Sequence, residues 1–243
     1  SLTPALTEMI YELKLDSFLV GNTTYCYYPE DAKNKTKTAD LMNVNYEIVS
    51  QLNPDLIIVA KEGSTKSNYH RLKQMGFKIF VFDSPDYNGV KRTFTKLASI
   101  FGKEALADSI TVLWDKRLEA IIKPGKKLTG LALISTFPIF AAGKNTFINE
   151  IFKINGVKNI AAEGNVNYPV YSREEILLKD PDFILFVHTE PIETIKKQYP
   201  EWKKLKAFRN GNIFFVDADI YSRPGPRIIL AAEDLNEKLR NIR

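Results

Sequence analysis

Residues 45–59 read Asn-Tyr-Glu-Ile-Val-Ser-Gln-Leu-Asn-Pro-Asp-Leu-Ile-Ile-Val, and residues 172–186 read Ser-Arg-Glu-Glu-Ile-Leu-Leu-Lys-Asp-Pro-Asp-Phe-Ile-Leu-Phe. Laid over each other, Glu47 falls on Glu174, Pro54 on Pro181 and Asp55 on Asp182, and an apolar run of similar length follows in each. A polar helix, a Pro-Asp break and an apolar strand, said twice in one chain, predict two lobes of similar build. A protein built that way works most naturally in the cleft between its lobes.

Outward from the first copy, the pattern stays α/β. Thr3-Pro4 opens a predicted helix through Leu13, a short strand follows at Phe18–Gly21, and a polar, lysine-rich connection spans Glu30–Lys37. The first copy supplies a helix at Tyr46–Leu52 and a strand at Leu56–Ala60, followed by a turn at Glu62-Gly63-Ser64. A helix near Tyr69–Met75 and a strand at Lys78–Phe82 complete the series. β-branched and aromatic strands alternating with helical periods predict βα units and a mostly parallel sheet. Between Lys103 and Lys123, Leu106, Ile110, Leu113, Trp114, Leu118 and Ile121 recur at three- or four-residue spacing, which predicts one long amphipathic helix ended by Pro124-Gly125. A second αβ series then runs from Leu128–Ser135 through a helix at Asn145–Asn155 and the second copy to Asn212–Asp217 and a closing helix after Pro226. The predicted class is therefore α/β: two α/β lobes with mostly parallel sheets, residues 1–102 and 124–243, joined by a single long helix over 103–123. A continuous single sheet is the alternative.

Composition narrows the function classes. The 243 residues are 44% hydrophobic and 26% charged, ordinary for a soluble globular protein and enough for a real core. No stretch approaches the apolar length that spans a bilayer. The net charge of +5 is spread along the chain in short clusters such as Lys196-Lys197 and Lys203-Lys204, a solvated basic surface rather than a nucleic-acid footprint. Cys26 is the only cysteine, which excludes an intramolecular disulfide and a thiolate metal cluster. The opening at Ser1, without Met or a targeting segment, reads as a trimmed or mature chain.

Little points to catalysis. His70 and His188, the two histidines, have no metal-ligand spacing, and there is no phosphate loop, no Gly-x-Gly-x-x-Gly after a strand and no Gly-x-Ser-x-Gly. Cys26 has no histidine near it in sequence, and no spacing singles out an acid/base pair among the carboxylates. What remains is aromatic. Tyr25, Tyr27 and Tyr28 precede Pro29, Phe137 and Phe140 flank Pro138, Tyr168 and Tyr171 flank Pro169, and Tyr221 lies in the 219–223 loop. Any one of these, taken singly, reads as core. Aromatics beside Pro in loops at strand ends are where open α/β sheets bind ligands.

With those residues in view, the chain resembles the periplasmic substrate-binding proteins of ABC importers for cobalamin, ferric siderophores and haem, nearly end to end. The resemblance rests on the opening Ser-Leu-Thr-Pro-Ala-Leu-Thr-Glu, which looks like the family's first helix with the preceding strand missing. It rests also on Val44–Asp55, Ser172–Asp182 and Arg223-Pro224-Gly225-Pro226-Arg227-Ile228-Ile229-Leu230, in order around a central helix. It implies a non-catalytic monomer, without resident cofactor or metal, that is periplasmic or anchored on the outer face of the cytoplasmic membrane. It also implies that Tyr25, Phe140 and Tyr168 fall on aromatic contacts to a corrin ring, and Asp219 and Arg223 on polar contacts at the cleft. Leu41 and Ala60 stand where the cobalamin-binding members have tryptophans, and Tyr168 replaces another, so a ferric siderophore or haem stays open as the cargo. Glu47 and Glu174 correspond to the family's glutamates that dock one lobe each onto arginines of the dimeric permease. A glutamate opening a helix is also favoured by the helix dipole, by about 0.3–1 kcal/mol. That explains each one singly but not why both stand seven residues before the proline, 47 to 54 and 174 to 181. A chelate-modifying enzyme and a ligand-sensing domain are the alternatives of other classes. The first lacks a nucleophile, and the second needs a signalling segment joined to the lobes.

Overall fold

The computed structural model describes residues 1–40, 43–61, 66–187, 190–240 and 242. Leu41, the turn at Glu62-Gly63-Ser64 and His188 lie outside the described residues. The chain divides into two compact units, Ser1–Val112 with Pro224–Pro226, and Leu113–Arg223 with Arg227–Arg243.

The first unit runs α1 (Pro4–Glu12), β1 (Gly21–Thr23), β2 (Thr36–Ala39), α2 (Tyr46–Leu52), β3 (Ile57–Ala60), α3 (Lys66–Gln74), β4 (Ile79–Phe82) and α4 (Tyr87–Ile100) into α5 (Glu104–Glu119). β1 pairs with β2 and β3 with β4, each pair parallel, as two separate ladders among the described residues. All four residues of β3 are buried, as its unbroken apolar run requires of a parallel strand covered on both faces. Ile57 and Val59 pack with Val49 of α2 and Leu72 of α3.

Two local expectations shift. Asp16–Phe18 is a 3-10 turn, and the strand starts at Gly21 rather than Phe18. A Cβ at Gly21 would lie 2.6 Å from Thr38 Cγ2, so the Thr38 methyl packs over β1 in the space that glycine leaves. The lysine-rich connection also contains β2, which its polarity hides. The Lys37 ammonium donates to Asn22 Oδ1 at 2.8 Å and to the Ala32 carbonyl at 2.9 Å, so a charged residue sits in a strand with its donors satisfied.

The second unit contains β5 (Thr129–Thr136), β6 (Ile139–Ala141), α6 (Phe147–Ile154), β7 (Lys158–Asn159), α7 (Arg173–Lys179), β8 (Phe183–Phe186), α8 (Ile192–Gln198), α9 (Lys206–Arg209), β9 (Ile213–Phe215), α10 (Ala218–Ser222) and α11 (Ile228–Arg240). Its sheet has the order β6-β5-β8-β9, with β7 beside β5. β7, β8 and β9 join by parallel pairing, and β6 is antiparallel. Gly130 in β5 lies under aromatic rings: a Cβ there would be 2.4 Å from Phe183 Cζ and 2.8 Å from Phe152 Cε2. A buried stacked pair, Tyr199 on Trp202 at 4.1 Å, anchors the other face of the core.

The repeated phrase is a repeated structure. Asn45 and Ser172 cap α2 and α7 by accepting from Ile48 N and Glu175 N respectively. Both helices are seven residues long and end on a left-handed residue, Asn53 at φ 42° and Asp180 at φ 38°. Pro-Asp then leads into β3 or β8. In the second copy Asp182 fastens the join, because its Oδ2 accepts from Thr129 N at 2.8 Å and Thr129 Oγ1 at 2.9 Å.

The long helix is α5, with 16 residues rather than the 103–123 expected, or about 24 Å. Its buried stripe is Ala107, Thr111 and Trp114, whereas Leu113, assigned to the stripe by spacing, is exposed. Within the second unit, Arg117 makes a two-pronged pair with Glu233 of α11, at 2.8 and 2.6 Å. No helix among the described residues is long and apolar enough to cross a membrane.

Candidate functional site

The predicted ligand contacts fall beyond the carboxyl ends of β1 and β9 and along the edge of β6. In the first unit, β1 ends at Thr23 and the chain turns through Tyr25, Tyr27 and Tyr28, all exposed. Tyr25 is 44% exposed, and its backbone N–H is held by Thr23 Oγ1 at 3.3 Å. The turn is footed on buried Cys26, whose sulfur is in hydrogen-bond contact with the Thr7 and Thr23 hydroxyls, both at 3.2 Å. The turn is thus anchored while its aromatic rings reach solvent.

In the second unit, β5 continues into β6, and the segment bearing Tyr168 is laced to that hairpin's edge. Gly143 N donates to the Asn167 carbonyl at 2.7 Å, Ala141 N to Pro169 O at 3.0 Å, and Tyr171 N to Ile139 O at 3.0 Å. Phe140 bridges to Val170 across the same seam. Phe140 and Tyr168 are therefore brought to one edge, with Phe140 half-buried and Tyr168 52% exposed. Exposed Phe137, Val166 and Val170 extend this apolar surface. The two valines escaped the sequence reading because a β-branched residue beside Pro169 looks like any strand edge.

Asp219 and Arg223 are also brought together. They stand one turn apart at α10, beyond the carboxyl end of β9, with Arg223 Nη2 2.6 Å from Asp219 Oδ1. Asp217 caps the helix by accepting from Asp219 N at 2.8 Å. The guanidinium charge at this place is thus matched by a carboxylate. Tyr221, read with the loop aromatics, is instead core: it is buried and its hydroxyl donates to Asp234 Oδ2 at 2.7 Å. Burial first, then that hydrogen bond, drives its pKa far above the ordinary tyrosine value. Tyr171 likewise packs on the core, with its hydroxyl on Ile160 O at 3.1 Å.

Glu47 and Glu174 each occupy the second position of α2 and α7, exposed. Among the described residues no hydrogen bond or ion pair engages either carboxylate. Neighbouring Glu175 shows the contrast. It closes a capping box with Ser172, at 2.8 Å to the Ser172 N–H, and that bond holds its carboxyl below the usual glutamate value. Two carboxylates at matching positions are left for solvent or for a partner.

An apolar groove of about 580 Å³ lies within the first unit, walled by Ile10, Leu52, Ile57 and Leu97 among others. None of the predicted ligand or docking residues lines it. Ser1 N and Leu2 N, which line it, bond to Gly21 O and Ile58 O at 3.0 and 2.9 Å, so the N-terminal segment ties β1 to β3 beside the groove. Ala60, buried at the end of β3, is part of that framework. Among the described residues no cluster of three or more His, Cys, Asp or Glu is arranged to hold a metal ion.

The sequence profile of the periplasmic binding protein family matches residues 1–220. An uncharacterized ABC transporter substrate-binding lipoprotein of Bacillus subtilis is 30% identical over 98% of this chain and 78% of its own length. A vitamin B12-binding protein of Vibrio vulnificus is 27% identical over 100% of this chain and 89% of its own. Among solved structures, a possible iron-binding, periplasmic solute-binding protein of Staphylococcus epidermidis superposes with a TM-score of 0.85 at 28% identity, covering 98% of this chain and 96% of that one.

Proposed function

The chain belongs to the periplasmic binding protein family, and from that premise we propose that it captures cobalamin outside the cytoplasm and delivers it to an ABC permease dimer. It is a solute-binding protein of the ABC importer type, and in this reading it does no chemistry on its cargo and acts as a monomer. The observation that carries the reading is the exposure of aromatic faces at strand ends and edges: Tyr25 beyond the carboxyl end of β1 in one unit, Tyr168 beside Phe140 at the β6 edge in the other. A broad flat macrocycle is gripped by such faces, each adding about 0.5–1.5 kcal/mol beyond area burial. The Asp219–Arg223 pair favours a corrin over an anionic ferric catecholate, which needs unmatched cations converging on it.

Titration of the purified protein with cyanocobalamin, haemin and a ferric catecholate, followed by visible absorbance and calorimetry, tests the reading. Cobalamin binding weakened by Tyr25→Ala and by Tyr168→Ala supports it. Preference for haemin or the ferric catecholate reassigns the cargo, and binding of none of the three refutes the reading.

Glu47 and Glu174 are the docking handles in this proposal. Their support is that both are exposed, both are unengaged among the described residues, and both sit at one position of a repeated helix. Close charge pairs across an interface are worth about 1.5–7 kcal/mol of coupling. Charge reversal at both should abolish stimulation of the permease while cargo affinity stays intact. Loss of cargo affinity instead would remove them from the docking role.

A further inference from the structure

The repeat supplies an internal control for what each position of α2 and α7 needs. Capped at matching positions and ended by matching left-handed residues, the helices align Glu47 with Glu174, Val49 with Ile176 and Gln51 with Leu178. Inward positions agree: Val49 and Ile176 are buried in their own units. Outward positions agree in exposure but not in chemistry. Gln51 is exposed and polar, whereas Leu178 is 87% exposed.

A leucine exposed on its own is unremarkable. This one is four residues from Glu174, hence on the same helix face and about one turn away. Its neighbours are all accounted for: Ile176 and Leu177 pack into the second unit's core, Lys179 pairs with Glu163, and Glu175 closes the capping box. Leu178 does nothing for the fold, and the same helix in the first unit carries glutamine there.

We propose that Leu178 is an interface residue, inserting into an apolar recess of the membrane permease beside the cation that meets Glu174. This rests on the docking reading above. The occupant is set by the face itself, since a carboxylate without a partner among the described residues calls for a cation and a leucine one turn away calls for an apolar wall next to it. The first unit offers Glu47 and Gln51 on the matching face of α2, a charge with a polar side chain where α7 has leucine. The two docking faces are therefore unequal, and the second unit supplies the apolar half of the contact.

The test measures binding of the cyanocobalamin-loaded protein to its importer's permease in lipid nanodiscs, for the unaltered chain, Leu178→Gln, Gln51→Leu and Glu174→Gln. Burying one leucine side chain corresponds to roughly tenfold to a hundredfold in Kd. Leu178→Gln should weaken binding by that range, with melting temperature and cargo affinity unchanged, because the side chain touches nothing in its own unit's core. The loss should persist at high salt, whereas the Glu174→Gln loss should shrink as the charge is screened. Gln51→Leu should leave binding unchanged or strengthen it. If Leu178→Gln binds like the unaltered chain while Glu174→Gln is impaired, the inference is overturned and the docking reading stands. If neither substitution changes binding, both fall. A self-association measured by sedimentation and lost in Leu178→Gln would give the leucine to a second copy of this chain and overturn the inference as well.

Discussion

Gly143→Ala should displace the segment bearing Tyr168 without unfolding the protein. A Cβ at Gly143 would lie 2.3 Å from the Val166 carbonyl oxygen and 3.0 Å from both Asn167 O and Pro169 Cδ. These are backbone and ring atoms, so no side-chain rotation relieves them. Moving the oxygen from 2.3 Å to ordinary contact at 3.4 Å requires a shift of about 1 Å. The Gly143 N to Asn167 O bond, 2.7 Å long, would then open beyond bonding distance. Asn145 Nδ2 to Asn167 Oδ1 at 3.2 Å and Ala141 N to Pro169 O at 3.0 Å share the seam. At about 0.5–1.5 kcal/mol per bond, two or three weakened bonds amount to about 1–3 kcal/mol of local stability. Hydrogen exchange at Gly143 and Ala141 should accelerate roughly tenfold to a hundredfold, with protection in β8 unchanged. Cargo affinity should fall about as far as in Tyr168→Ala, and the double variant should lose little more. Unaltered exchange at Gly143, or full affinity alongside a weakened Tyr168→Ala, would refute the idea that this glycine positions the tyrosine.

The remaining predictions concern stability. Gly130→Ala drives a Cβ to 2.4 Å from the Phe183 ring and should cost about 1–3 kcal/mol, read as a lower urea midpoint with unchanged slope; an unshifted midpoint would mean that β5 slides to make room. Glu175 and Glu163 have carboxyl pKa values held below the ordinary 4.5, the first by its bonds to Ser172 and the second by Lys179. Groups depressed in the folded state stabilise it above the unfolded value and lose that contribution as pH falls through the folded one. Stability should thus decline below about pH 4.5, and Glu175→Gln with Glu163→Gln should flatten the decline in an acid titration followed by circular dichroism; an unchanged slope would assign it to other carboxylates.

The candidate binding surface was legible unevenly. Tyr25 and Tyr168 are exposed where proline-flanked loops place them, yet the same cue enrolled Tyr221, which the fold buries, and Tyr171, which it half-buries against the core. Composition and flanking residues are alike in the two groups, but Tyr171 and Tyr221 turn inward and donate to Ile160 O and Asp234, 11 and 13 residues along the chain. Leu113 failed for a related reason. A stripe at three- and four-residue spacing leaves the helix face uncertain by one position, and packing chose Thr111 and Trp114 over Leu113.

What the sequence determined by itself was the repeated unit: polar helix, Pro-Asp break, apolar strand. The helix and its ends follow from contacts within a few residues, so local chemistry specifies them in both copies. The lacing of the Tyr168 segment to Gly143 through Asn167 O, and the hidden strand around Lys37, were decided by tertiary structure. Close backbone approach and remote hydrogen-bond acceptors have no fixed spacing along a chain, so only the folded protein reveals them.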